Sequence, residues 1–168
     1  MFLLSDLFGL PAHALLVHAA VVLVPLAGVG LAALGWRPHW RRAYSLPIAL
    51  IALAGAVFSV LAAQSGGPLE RSVRAAASSQ TGQRVFFGEH PEEGNRAEFF
   101  AVVLAITCIG FWAIDRWNER FDLPKWAPRA AYWAALLPVA ASLLTMVAAG
   151  HSGAQLVWND VGSFAVGG

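Results

Sequence analysis

Histidines are the residues of this chain best suited to chemistry, and four of the five fall where membrane-spanning helices would end together: His13, His18, His90 and His151. Imidazole ligates zinc, copper or iron through a neutral ring nitrogen, and it also takes up a proton near neutral pH. Imidazoles from two helices can hold haem iron axially in a bundle core, which would make a b-type haem electron carrier. Two or three of them with a carboxylate suit zinc or copper instead. His13 and His18 are five residues apart, about 500° of helical rotation, so on one regular helix they point roughly 140° away from each other and cannot share an ion. The expected site therefore draws on different helices. His18 and His151 are the leading ligands, with His90 and His13 in support. His18 lies about 7 to 8 Å deeper along its helix than His13, and an ionisable group at that depth is expected to face the bundle rather than lipid. His39, between Pro38 and Trp40, belongs to the opposite end and is read as a solvated or headgroup contact.

The elements that must position these rings follow from composition. The chain has 168 residues, of which 58% are apolar and 12% charged, against a usual charged share of about a quarter. So few charges cannot clothe a soluble domain of this size, so the chain is read as one membrane-embedded domain over residues 1–168. A net charge of +1 offers no basic face for nucleic acid, and the single Cys108 excludes an internal disulfide. Four stretches are long enough to cross a bilayer as helices: Pro11 to Trp36, Ala43 to Ala63, Ala97 to Trp117 and Ala130 to Ala149. None alternates polar and apolar as barrel strands do. Helices, which satisfy their own backbone in lipid, remain. The fold class is an all-α membrane protein, a four-transmembrane-helix up-and-down bundle with a long extracytoplasmic loop between helices 2 and 3. Met1 to Leu10 lacks a basic start and a cleavage site, so no cleaved signal peptide is expected.

Orientation follows from the basic residues. Arg37, Arg41 and Arg42 in the first connection and Arg116, Arg120, Lys125 and Arg129 in the third mark the cytoplasmic side, which leaves both termini and the four histidines outside. Trp36, Trp40, Trp117, Trp126 and Trp133 fall at that cytoplasmic boundary, where amphipathic rings anchor a helix. The second connection, Gln64 to Arg96, carries Arg71, Arg74, Arg84 and Arg96 against Glu70, Glu89, Glu92 and Glu93, with Glu98 just beyond it. Within it Leu69 to Ala77 is expected to form a short amphipathic surface helix, and Val85-Phe86-Phe87 an apolar patch over the histidine layer. Ala62-Ala63-Gln64-Ser65-Gly66 and Ala148-Ala149-Gly150-His151-Ser152-Gly153 close the second and fourth spans and have their serines 87 residues apart. Two like-oriented hairpins would show such a repeat, and so would the general abundance of small residues in membrane helices.

Nucleophilic catalysis is not expected. Ser152 adjoins His151, but no Gly-x-Ser-x-Gly elbow or acid completes a triad. Cys108, at mid-span, is read as packing.

Several segments resemble one bacterial membrane family, catalogued as domain of unknown function 2231. Leu10-Pro11-Ala12-His13-Ala14-Leu15-Leu16-Val17-His18, followed by Val21 to Leu26, is similar to its opening signature. Gly153 to Gly162 resembles its closing glycine-glycine-x-leucine-valine-tyrosine stretch, with Ala154 and Trp158 in place of the commoner glycine and tyrosine. Glu89-His90-Pro91-Glu92-Glu93-Gly94 is similar to its acidic lead into the third helix. The resemblance implies four membrane helices in a bacterial plasma membrane. Some relatives are joined to Rieske-type iron–sulfur domains, which implies a respiratory or other redox membrane complex as partner, since this chain has no cluster cysteines. The expected function is a haem- or metal-binding accessory to electron transfer, and the alternative is a purely structural membrane subunit without cofactor.

Overall fold

The computed structural model describes residues 6–7, 10–82, 86–117, 120 and 122–158. Four long helices account for nearly all of them: α1 Ala12–Trp36, α2 Arg41–Thr81, α3 His90–Trp117 and α4 Ala127–Trp158. A one-turn 3-10 helix, Pro38–Trp40, joins α1 to α2, and Asp6–Leu7 pairs antiparallel with Leu10–Pro11 ahead of α1. Each helix packs on its chain neighbour, α4 closes back on α1, and α1 and α3 face each other across the diagonal. This is the expected up-and-down bundle, and all four helices are long and apolar enough to cross a membrane.

The packing is that of a protein solvated by lipid. Small residues fill the interior, among them Ala20, Ala27, Ala52, Ala56, Ala101 and Ala105, while Val22, Val29, Ile106, Leu137 and Leu144 point outward at 60 to 76% exposure. In water that outer shell would be an aggregation surface. In hydrocarbon it costs nothing, and close approach of small residues supplies the cohesion between helices. Hydroxyls in the spans bond back to their own helix, as Ser59 donates to the Gly55 carbonyl at 2.9 Å and Thr107 to that of Val103 at 2.7 Å. Pro25, Pro47 and Pro138 lie inside helices that continue through them.

At the end rich in arginine and tryptophan, four helices are pinned together. The Tyr132 hydroxyl donates to the Ala32 carbonyl at 3.0 Å, and the Arg41 Nε donates to that of Leu34 at 3.3 Å. The Arg41 guanidinium also lies 5.5 Å from the Phe111 ring centroid and 5.9 Å from that of Tyr132. Gly35 makes the Tyr132 pose possible, because the ring occupies the space that a Cβ at Gly35 would need.

The long loop expected between the second and third helices is not formed. α2 runs unbroken for 41 residues, about 60 Å, which is roughly twice the hydrocarbon thickness. The expected surface helix, Leu69 to Ala77, is its second half. Ser65-Gly66-Gly67-Pro68 reads as a helix breaker, yet the helix passes through it. Beyond Pro68 good helix formers resume, the Glu70 carboxylate accepts from Arg74 at 2.6 Å, and Ser65, Val73 and Ala77 are buried along one face. The helix ends at Gly82, whose φ of 68° is the left-handed stop that glycine favours. α3 starts seven residues earlier than expected, at His90, with Glu92 and Glu93 in a first turn where the helix dipole favours acids. Of the expected Val85-Phe86-Phe87 patch, Val85 lies outside the described residues, and Phe87 sits under the Arg74 guanidinium at 5.1 Å.

The two hairpins bury the same register. Ala97, Ala101, Leu104, Ala105, Cys108 and Phe111 are the buried residues of α3, and the residues 77 positions earlier in α1, namely Ala20, Val24, Ala27, Gly28, Leu31 and Leu34, are all buried too. In α4, Val139, Ser142 and Met146 are buried, as are Ala52, Gly55 and Ser59, 87 positions earlier in α2. The serine spacing noted above thus accompanies a correspondence that is full in α1 and α3 and partial in α2 and α4, where buried Ala135 answers to the half-buried Ile48.

Candidate functional site

His13 stands in the first turn of α1 and His90 is the first residue of α3, so the diagonal of the bundle brings the two rings together. Their centroids are 6.5 Å apart and their planes nearly perpendicular, at 86°. Each ring is held by the partner helix of its own hairpin, in the same way. His13 Nδ1 lies 2.9 Å from the Ala62 carbonyl and 3.3 Å from Ser65 Oγ, and Ser65 Oγ donates its own proton to the Ala62 carbonyl at 2.8 Å. His90 Nδ1 lies 3.0 Å from Ser152 Oγ, which donates to the Ala149 carbonyl at 3.2 Å. Ala62, Ser65 and Gly66 correspond to Ala149, Ser152 and Gly153 at the 87-residue offset, and His13 corresponds to His90 at the 77-residue offset.

These bonds decide the tautomers. A carbonyl only accepts, and each serine has spent its proton on one, so the proton between serine and ring must come from the ring. Both imidazoles are therefore Nδ1–H donors, and in the neutral state each keeps a free lone pair on Nε2. Fixing the second nitrogen with a carbonyl or hydroxyl is how proteins orient metal-ligating histidines. The glycines make room for the rings. A Cβ on Gly66 would stand 3.3 Å from His13 Cε1, and one on Gly153 only 3.0 Å from His90 Cε1.

The other two expected ligands are placed differently. His18 is exposed, with Nδ1 donating to the Ala14 carbonyl of its own helix at 2.6 Å. His151 is also exposed, and its Nε2 meets the Gln155 amide one turn on, at 3.1 Å. Both rings lie outside the His13–His90 pair. The five-residue offset between His13 and His18 is what separates them, since His13 is the one that takes the inward face. His39 is exposed beside Trp40 at the opposite end. Glu93, one turn after His90, is half-buried, and its Oε2 is buried without a hydrogen-bond partner. Among the described residues no three His, Cys, Asp or Glu side chains already converge on one point.

Sequence reasoning ranked His18 above His13 by depth and passed over the two serines as orienting groups. The signal that would have found them was the repeated Ala-x-x-Ser-Gly at 62–66 and 149–153. Extended to the offset between His13 and His90, it predicts one imidazole per half. If the serines orient the rings, Ser65→Ala and Ser152→Ala will each weaken metal binding by about 10- to 100-fold, the range known for outer-shell partners. Equilibrium titration of the purified protein measures this, and a change below twofold in both would leave the serines as helix back-bonds only.

Two cavities lie away from the pair. One is an apolar groove of about 320 Å³ between α2 and α3, lined by Leu53, Val57 and Ile106 among others, and the second, of about 630 Å³, lies between α1 and α4 near Tyr132. In comparisons with known proteins, the sequence model of one family, described as "Predicted membrane protein (DUF2231)", matches residues 9–164. No curated protein and no solved structure gives a match.

Proposed function

This chain belongs to the family of predicted membrane proteins catalogued as domain of unknown function 2231, and from that premise we propose that it holds a metal centre between His13 and His90 as an accessory to an electron-transfer assembly. One observation carries the metal reading: two imidazoles from opposite helices stand with their ring centroids 6.5 Å apart, each with Nδ1 engaged by the partner helix of its own hairpin, which leaves Nε2 as the nitrogen available to an ion. The separation supports it. With metal–nitrogen bonds of about 2 Å, two ring centroids stand about 5 Å apart at a tetrahedral angle and about 6 Å apart in line, so rings now 6.5 Å apart need close by little more than about 1 Å on a tetrahedral ion.

A bare ion fits the packing better than a b-type haem. Gly66 and Gly153 stand close against the two rings, and neither of the two cavities described is lined by His13 or His90. The service to a respiratory or other redox complex rests on the family resemblance. Elemental analysis and an absorption spectrum of the purified protein test the reading. The expected result is about one transition-metal ion per chain, with no Soret band. A Soret band would move the assignment to haem, and protein that takes up neither would leave His13 and His90 as hydrogen-bond struts of a structural subunit.

The same proposal sets the protein in a bacterial plasma membrane with its termini and histidine pair outside, because the seven basic residues of the first and third connections mark the cytoplasmic side. A periplasm-active reporter fused after Gly168 is expected to be active, and one inserted between α3 and α4 silent. The reverse pattern would invert the topology.

A further inference from the structure

The correspondence between the halves singles out a polar position near the pair where they differ. Positions 16 and 93 are related by the same 77 residues as His13 and His90, and each lies one helical turn beyond its histidine. In α1 the residue is Leu16, buried in an apolar cluster with Ala12 and Ala62. In α3 it is Glu93, whose Oε2 is buried with no hydrogen-bond partner. The first half shows an apolar side chain packing well at that position, where the second half carries an acid. A carboxylate oxygen removed from water and left unpaired is costly, and a cation beside it removes the cost. Glu93 is also close enough to His90 to act on it electrostatically.

We propose that Glu93 is the third ligand of the ion held by His13 and His90, so that the site is a two-imidazole, one-carboxylate set for a divalent first-row transition ion with a coordination position left open. The assignment rests on the metal reading above and names its ion class. Two neutral imidazoles with one carboxylate suit zinc and ferrous iron, while the hard carboxylate disfavours cuprous copper, which prefers thiolate and thioether. Because three ligands do not yet converge, the carboxylate closes on the ion by rotation of its own side chain. The three-residue spacing from His90 keeps the two groups on one helix face. Its charge leaves a loaded site at +1, so the open position favours hydroxide or another anion over a neutral group.

The test uses full-length, chelator-stripped protein titrated with Co²⁺, reading affinity and the visible d–d absorption, in the wild type and in Glu93→Gln, Glu93→Leu and His13→Ala. Wild-type protein is expected to bind about one Co²⁺ with a resolved visible spectrum. Glu93→Gln will shift that spectrum and weaken binding at least about tenfold, a loss that even outer-shell changes reach. Glu93→Leu copies the residue of the first half, so it will fold as well as the wild type and bind as weakly as the glutamine variant. Unchanged affinity and spectrum in both Glu93 variants, with binding lost in His13→Ala, would overturn the role of Glu93 and leave the imidazole pair standing. Wild-type protein that takes no Co²⁺, or a His13→Ala variant that binds it normally, would overturn both.

Discussion

His13→Ala and His90→Ala will each lower metal affinity by at least a hundredfold, about 2.7 kcal/mol, and by similar factors. A site with two fixed nitrogen donors that loses one is left with a single imidazole, no better than a surface histidine. The similarity of the two losses follows from the equivalence of the stations, since each ring is held by a serine and a carbonyl at matching positions of its own hairpin. His18→Ala and His151→Ala are the paired controls and should change affinity less than twofold, because both rings are exposed and bonded within their own helices. Each lost ring–serine bond also removes about 1 kcal/mol of fold stability, so affinity must be read on protein that stays monodisperse in detergent. Binding that survives loss of His13 and His90 but fails without His18 or His151 would move the site to the exposed pair.

The largest stability effect is expected at the other end of the bundle. Gly35→Leu will evict the Tyr132 ring from the pose in which its hydroxyl donates to the Ala32 carbonyl. Overpacking of this kind costs about 1–3 kcal/mol, and the broken bond adds about 1 kcal/mol. At about 2–4 °C per kcal/mol for a chain of this length, the thermal midpoint should fall by roughly 5–15 °C. Tyr132→Phe keeps the ring and removes only the hydroxyl, so it should lose about a quarter to a half as much. Glycine 35 and tyrosine 132 share one space, and the double variant Gly35→Ala with Tyr132→Ala should therefore be more stable than the sum of its single changes. Additive losses would mean that the ring can settle elsewhere at little cost. Thermal denaturation in detergent followed by helical circular dichroism measures all of these.

The four spans and their up-and-down order were legible because lipid admits so few backbone solutions: about twenty uncharged residues leave little but a helix. The extent of the helices was less legible. Hydropathy marks where apolar character stops, and α2 and α4 continue past that point on backbone hydrogen bonds that polar residues make equally well. Gly66, Gly67 and Pro68 read as punctuation because their local preferences are for turns. In the fold Gly66 is a contact surface for His13, and no property of the segment taken alone reveals that. The histidine layer was read correctly as lying at one end, but its inward members were chosen by depth. Depth along a helix says how far a group sits from water, whereas rotation about the axis says what it touches. His13 and His18 are separated by rotation more than by depth. The repeat at Ser65 and Ser152 carried the rotational information, and it became readable only when the buried register of α1 and α3 was laid beside it.

The two halves match below the histidines but not above them. Among the described residues α2 rises sixteen residues past Ser65, about 24 Å, and α4 six residues past Ser152, about 9 Å, while α3 begins beside Ser152. Among the described residues α2 is accordingly the tallest wall of the rim. A visitor descending on it meets the upper half of α2 on one side, so a scaffold with matching stations inside presents unlike flanks to whatever reaches it from outside.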